Sequence, residues 1–187
     1  MLILMGKTAS GKTELLKHLV NRYHFNPIVT YTTRPIREGE IPDVTYHYIS
    51  EEEFMEKISK GFFAEWKIYK TVEGNWYYGS AASDYKNTNI FDIVILTPDG
   101  IKQIQENGLK NIRIFYIKCP KHIRWKRLKN RGDKPLEIKR RMRADDKDFK
   151  IISFPYYSIK NKGYIDKALN KILTEYFIGR NNIYGEK

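Results

Sequence analysis

Eight residues near the N-terminus constrain this chain more than any others. Gly6, Lys7, Thr8, Ala9, Ser10, Gly11, Lys12 and Thr13 fit the spacing G-x-x-x-x-G-K-[ST]. The unbroken apolar run Leu2–Met5 precedes them, as in a buried parallel strand. Leu15, Leu16, Leu19 and Val20 follow at helical spacing. Strand, glycine-bounded loop and helix together form a phosphate cradle. The glycines let backbone N–H groups turn inward around phosphate oxygens. The helix N-terminus adds a favourable potential for an anion. In such a loop Lys12 reaches the β- and γ-phosphates of a nucleotide, and the Thr13 hydroxyl is the expected magnesium ligand.

The rest of the chain alternates strand-like runs with helix-like segments, which predicts an α/β fold around a mostly parallel sheet. Strands are expected at 28–30, 90–96, 112–117 and 158–161. Helices are expected after Ser50, which forms a capping box with Glu53, and after Pro98, carrying Ile101 and Ile104. Further helices are expected from Pro120 to the break at 131–135, over 136–149, and over 165–177. Residues 32–83 break this alternation and are rich in Tyr, Trp and Gly, as an inserted substrate subdomain would be. At 187 residues the chain suits one domain carrying such an insert. No apolar run approaches the ~18–20 residues that span a bilayer. The N-terminus shows no secretory pattern, so a cytoplasmic protein is expected.

Charge is unevenly placed. Residues 1–109 hold 12 Lys and Arg against 14 Asp and Glu, a net of −2, whereas 110–187 hold 22 against 8, a net of +14. A basic half of this kind serves a polyanion or is simply solvated. The single cysteine, Cys119, excludes an internal disulfide and reads as a packed residue. His18, His24, His47 and His122 lack metal-ligand spacing.

A second motif follows the cradle: Thr32-Thr33-Arg34-Pro35-Ile36-Arg37-Glu38-Gly39-Glu40, then Tyr46-His47. Two arginines three apart suit a second phosphate, each guanidinium binding two oxygens in plane. With Phe63-Ala64-Glu65-Trp66, Tyr77-Tyr78-Gly79-Ser80, Arg127-Leu128 with Arg131-Gly132, Arg140-Arg141-Met142 and Ile159-Lys160-Asn161, the chain resembles guanylate kinases over nearly its whole length.

That resemblance implies a P-loop fold whose parallel core is flanked by helices. It divides the chain into a core (1–31, 84–126 and 150–187), a GMP-binding subdomain (32–83) and a basic lid (127–149). It implies transfer of the ATP γ-phosphate to GMP and dGMP, with magnesium. Gly6 through Thr13 and Asn161 match the ATP site, Asn161 lying near the adenine. Thr30, Arg34, Arg37, Tyr46, Glu65, Tyr78 and Ser80 match the GMP site. Arg34, Arg37, Tyr46 and Tyr78 would clamp the phosphate, and Glu65 would read guanine. A carboxylate accepts from both N1–H and the 2-amino group of guanine, whereas adenine presents an acceptor at N1. Lys12, Arg127, Arg131 and Arg141 match the catalytic cations. Phosphoryl transfer here rests on charge neutralisation, because the acceptor phosphate is already mostly anionic near pH 7.

The sequence departs from the family where an Asp-x-Asp is usual: with Gly100 aligned, Ile95 and Thr97 occupy those positions, and Asp99 is the nearest acidic candidate to compensate. The loop 71–76 and the stretch 132–139 also differ in length from the common pattern. Two alternatives stay open. One is a kinase of the same fold acting on another phosphorylated acceptor such as ribose 1,5-bisphosphate. The other is a non-catalytic binding module, against which the intact Gly11-Lys12-Thr13 argues. Small nucleotides are the expected partners, without nucleic acid or membrane, for a monomer or homodimer.

Overall fold

The computed structural model describes residues 1–71 and 73–179. The last eight residues of the expected core, and Val72 within the 71–76 loop, lie outside the described residues.

Five parallel strands form the central sheet, in the order β2-β7-β1-β8-β9. They are β1 (Leu2–Met5), β2 (Asn26–Pro27), β7 (Asp92–Ile95), β8 (Arg113–Lys118) and β9 (Tyr157–Lys160). β1 is central, and all four of its side chains are buried. Its alternation serves two layers at once. Leu2 and Leu4 pack with Leu15 and Leu19 of α1 (Lys12–Tyr23) and with Leu169 and Ile172 of α6 (Ile165–Leu173). Ile3 and Met5 pack on the other face with Ile101 and Ile104 of α3 (Pro98–Glu106). A strand covered on both faces needs apolar side chains in both directions, hence the unbroken run. The expected strand at 28–30 is absent. β2 ends at Pro27, only the Ile28 N–H still bonds to Ile93 of the sheet, and the chain leaves toward a second sheet. The expected helix at 165–177 is regular to Leu173 and ends in a wider π-type turn, Thr174–Ile178. No described helix is long and apolar enough to cross a membrane.

The second sheet has the order β4-β3-β6-β5 and spans residues 31–81, starting one residue before the expected insert. It comprises β3 (Tyr31–Thr32), β4 (His47–Tyr48), β5 (Phe63–Thr71) and β6 (Gly74–Ala81). The helix α2 (Glu51–Ser59) starts as expected, Ser50 accepting from the Glu53 N–H at 3.1 Å. Its Phe54 is fully buried and stacks on Phe63 at 4.3 Å between centroids. The β5–β6 hairpin shifts register between Phe63 and Glu65, which sets Glu65 directly opposite Ser80. An irregularity of this kind re-aims a side chain beside a site.

Two basic helices, α4 (Lys121–Asn130) and α5 (Pro135–Asp148), form the rest. They share a small cluster of Leu128, Ile138 and Met142. Their apolar face is narrow because most of their surface is charged.

Candidate active site

The phosphate cradle lies at the carboxyl end of central β1, where open α/β sheets bind ligands. Gly11 has φ +95°, and a Cβ there would come within 2.4 Å of the Asn161 side chain. Only glycine therefore lets the loop close and Asn161 approach. Asn161 is buried and donates to the Ser10 carbonyl at 2.9 Å. Just past the end of β9, it braces the loop and, with Arg127, lines the cavity beside it. Lys12 folds back, donating through Nζ to the Gly6 carbonyl at 2.6 Å and the Lys7 carbonyl at 3.2 Å. Burial lowers its pKa to about 8, with Asp145 pulling up and Arg124 pulling down. Arg127 reaches the loop from α4, donating to the Ala9 carbonyl at 3.0 Å. The Thr13 side chain is exposed in the first turn of α1.

Glu65 sits across the cleft, 6% exposed, and accepts from the Ser80 hydroxyl at 2.7 Å. Ser80 is in turn 2.7 Å from the Tyr85 hydroxyl. Burial raises the Glu65 carboxyl to about 7, Ser80 opposing this and the Asp99 charge adding to it. Thr30, Tyr46, Glu65 and Tyr78 line one pocket of about 220 Å³ together with Gly6, Thr8 and Lys12 of the loop. Ile95 and Thr97 are in the same wall, so the two positions without carboxylates do face the cleft. Thr97 instead caps α3, accepting from the Gly100 N–H at 3.1 Å. Asp99 is exposed in the first turn of α3, at 4.0 Å from Lys67, and is no part of the cleft wall, although its charge acts on Glu65.

The two arginines of the second motif part company. Arg34 is 3% exposed and commits four of its five N–H donors: it donates to the Tyr78 hydroxyl at 3.1 Å, to the Pro35 carbonyl at 2.6 Å and, two-pronged, to Glu40 at 2.9 and 2.8 Å. Tyr46 lies against it, 5.3 Å from guanidinium carbon to ring centroid. Arg34 therefore holds Glu40, Tyr46 and Tyr78 in place. Burial tends to raise the Glu40 carboxyl, but Arg34, Tyr48 and the Arg37 N–H outweigh it and hold the pKa below the usual range. The Arg37 guanidinium has no carboxylate partner among the described residues. Burial, then Arg34, Arg141 and Arg131, push its pKa down. Three guanidiniums, those of Arg37, Arg131 and Arg141, thus line one cleft, which favours an anion there. Arg131 pairs with Asp133 at 2.7 Å, and Arg141 with Glu137 at 2.7 Å. Two-pronged Arg140 and the adjacent Arg141 outweigh burial at Glu137 and bring it to about 2. Sequence reasoning missed Arg124, Asp145, Tyr85 and Trp76, which no local motif marks; Trp76 lines the cleft under the Arg141 guanidinium.

A family model described as guanylate kinase matches residues 1–177. The chain belongs to the guanylate kinase family. It is 32% identical to a guanylate kinase of Helicobacter pylori (strain 26695) over 184 residues, covering 93% of this chain and 84% of that one. It is 33% identical to a guanylate kinase of Clostridium tetani over 178 residues, 92% of this chain and 82% of that one. In three dimensions it is similar to the crystal structure of guanylate kinase from Anaplasma phagocytophilum, with a TM-score of 0.66 and 17% identity over 98% of this chain and 86% of that chain. That likeness supports the family's fold, a parallel core flanked by helices.

Proposed function

We propose that this guanylate kinase family member transfers the γ-phosphate of ATP to GMP, and to dGMP, giving ADP and GDP. One observation carries the reading: a single pocket joins Lys12 and Thr8 of the phosphate loop to Glu65, Tyr46 and Tyr78 of the insert. A donor on the loop and an acceptor on the insert would meet there. A GMP phosphate oxygen attacks the γ-phosphorus, the bond from that phosphorus to the β,γ-bridging oxygen breaks, and ADP leaves.

In this reading the core (1–31, 84–126 and 150–179 of its described part) holds ATP, 32–83 holds GMP, and 127–149 closes over both. The loop amides and Lys12 bind the ATP phosphates. Arg37, with Tyr46 and Tyr78 held by Arg34, binds the GMP phosphate. Glu65, fixed by Ser80, reads guanine, and Thr30 stands beside the base. Arg127 approaches from the donor side, while Arg131 and Arg141 face the cleft that Arg37 shares. Asn161 braces the loop. The Thr13 hydroxyl fits a magnesium ion, which takes one or two protein oxygens and completes its shell with phosphates and water. No group of three or more acidic, His or Cys side chains able to hold a metal alone occurs among the described residues. When bound, with Thr13 among its ligands, the ion would offset negative charge on the donor phosphates. A donor and acceptor of this kind fit a cytoplasmic enzyme.

The direct test is ADP release from ATP and magnesium over a panel of acceptors. GMP is expected to be turned over best, with AMP and ribose 1,5-bisphosphate far behind. Turnover of ribose 1,5-bisphosphate without GMP would move the chain to a different acceptor class, and no turnover with any acceptor would favour a binding module. Arg37→Ala separates the two nucleotide sites. A hydrogen-bonded charge is worth about 1.5–3 kcal/mol, so the KM for GMP is expected to rise roughly 10–150-fold with little change for ATP. Equal losses for both would break the two-site assignment.

A further inference from the structure

A carboxylate already occupies part of the phosphate cradle. Asp145, near the end of α5, is 8% exposed and accepts from the Thr8 N–H with both oxygens, each at 3.0 Å. The Thr8 hydroxyl donates to it at 3.3 Å. Arg124 of α4, 3% exposed, donates to the same carboxylate at 2.8 Å and to the Thr8 carbonyl at 3.4 Å. Next along, Asp146 pairs with Lys7. The loop N–H, the hydroxyl and the guanidinium are donors suited to a phosphate, and the carboxylate uses them as a phosphate oxygen pair would. Arg124 retains a buried Nε with no partner among the described residues. A guanidinium buried on one carboxylate with a donor left over is under-satisfied there.

We propose that Arg124 and the Thr8 N–H form a subsite for a phosphate oxygen of the bound nucleotide, and that Asp145 is its built-in competitor, displaced when the nucleotide enters. The inference rests on the donor assignment made above for the loop. It adds a binding residue, Arg124, and a latch between α5 and the loop. In the nucleotide-free state Asp145 neutralises Arg124 and ties α5 to the loop. When a triphosphate enters, the two anions cannot share the Thr8 N–H, so α5 must let go. Arg124 is then freed to face the phosphate, while α5 moves with its arginines Arg140 and Arg141. ATP affinity is thereby lowered by the cost of breaking the internal contact, in the way a minor competent state lowers apparent affinity.

Calorimetric titration of a non-hydrolysable ATP analogue and, separately, of inorganic tripolyphosphate tests this. Asp145→Asn keeps the shape and weakens the competitor, so it is expected to bind both ligands about tenfold more tightly than wild type. The double variant Arg124→Met with Asp145→Asn is expected to lose that gain, falling about tenfold below Asp145→Asn. An Asp145→Asn protein that binds no tighter than wild type overturns the latch. A double variant equal to Asp145→Asn overturns the role of Arg124. A tripolyphosphate gain without binding of the ATP analogue refutes the donor assignment and leaves the latch standing. Should Asp145→Asn fail to fold, a crystal structure of the wild type with the analogue decides. Asp145 away from the Thr8 N–H is the expected result, and a retained contact overturns the proposal.

Discussion

Lys12→Ala is expected to leave a folded protein that has lost phosphoryl transfer, with kcat down by about a thousandfold. Removing one preorganised donor from a developing anionic charge costs ~10²–10³-fold in rate, and Lys12 brings a full charge as well. In the free protein its ammonium rests on the Gly6 and Lys7 carbonyls, inside the loop that would take the phosphates. The charge is held at a cost, since burial brings its pKa down to about 8 from an ordinary 10.5. A folded pKa below the unfolded one means that the folded state binds fewer protons between these values. Below about pH 8 the burial of the charged form therefore works against stability. Deleting the side chain removes that cost, so the melting temperature is not expected to collapse with the activity. The same pKa predicts that ATP affinity declines as pH rises through about 8, as Lys12 loses its proton. Thermal melts and steady-state rates on the same preparation make the check. Near-wild-type turnover would show that the loop is not the donor site.

The second large effect is expected at Glu65. Glu65→Gln keeps the shape but puts an amide where guanine needs two acceptors. At ~1.5–3 kcal/mol for a hydrogen bond to a charge, kcat/KM for GMP is expected to fall roughly 10–150-fold. AMP should fall less or improve, because the amide can donate to adenine N1. Parallel changes in both would make Glu65 structural. The wild type adds a pH test. With its carboxyl near 7, free Glu65 carries a proton over much of the acid range. The protonated form presents an O–H where guanine presents N–H groups. Guanosine, which has no phosphate to titrate, is therefore expected to bind more tightly as pH rises toward 7 and to level off above it. In Glu65→Gln the profile is expected to be flat. The stability sign is opposite. A carboxyl whose folded pKa lies above the unfolded value contributes most below about 4.5, and that contribution is lost as pH rises through about 7. The ligand-free protein is thus expected to soften across the range where guanosine binding improves. Melting curves with and without guanosine read both trends.

These expectations draw on residues that differ in how they could be found. Gly6 to Thr13 are contiguous, and their chemistry depends on local backbone turns and the helix that follows. The same holds for Ser50 with Glu53 and for Thr97 at the head of α3, where caps act over three residues. β1 was legible because a strand covered on both faces is apolar throughout. The strand expected at 28–30 failed for the converse reason. Its apolar residues follow Pro27, where the chain leaves one sheet for another, and periodicity does not report which sheet a residue joins.

The amino-acid sequence by itself determined the phosphate loop, the α/β class and the family, and it brought the 32–83 insert, Glu65, Arg37 and the basic helices forward as candidates. Tertiary structure alone decided what those residues touch. Arg34, expected in a phosphate clamp, commits four of its five N–H donors to Glu40, Tyr78 and Pro35 in the free protein. Asn161, expected near a base, lines the cavity beside the loop and in the free protein donates to the Ser10 carbonyl. Asp145 meets Thr8 across 137 residues of chain, and Arg124 meets Thr8 across 116. Local patterns encode turns, caps and amphipathic faces because those forces act within a few residues. Which carboxylate neutralises which guanidinium is settled only when the sheets and helices pack, since burial makes an unpaired charge too costly to leave and each group takes the partner that packing brings within reach.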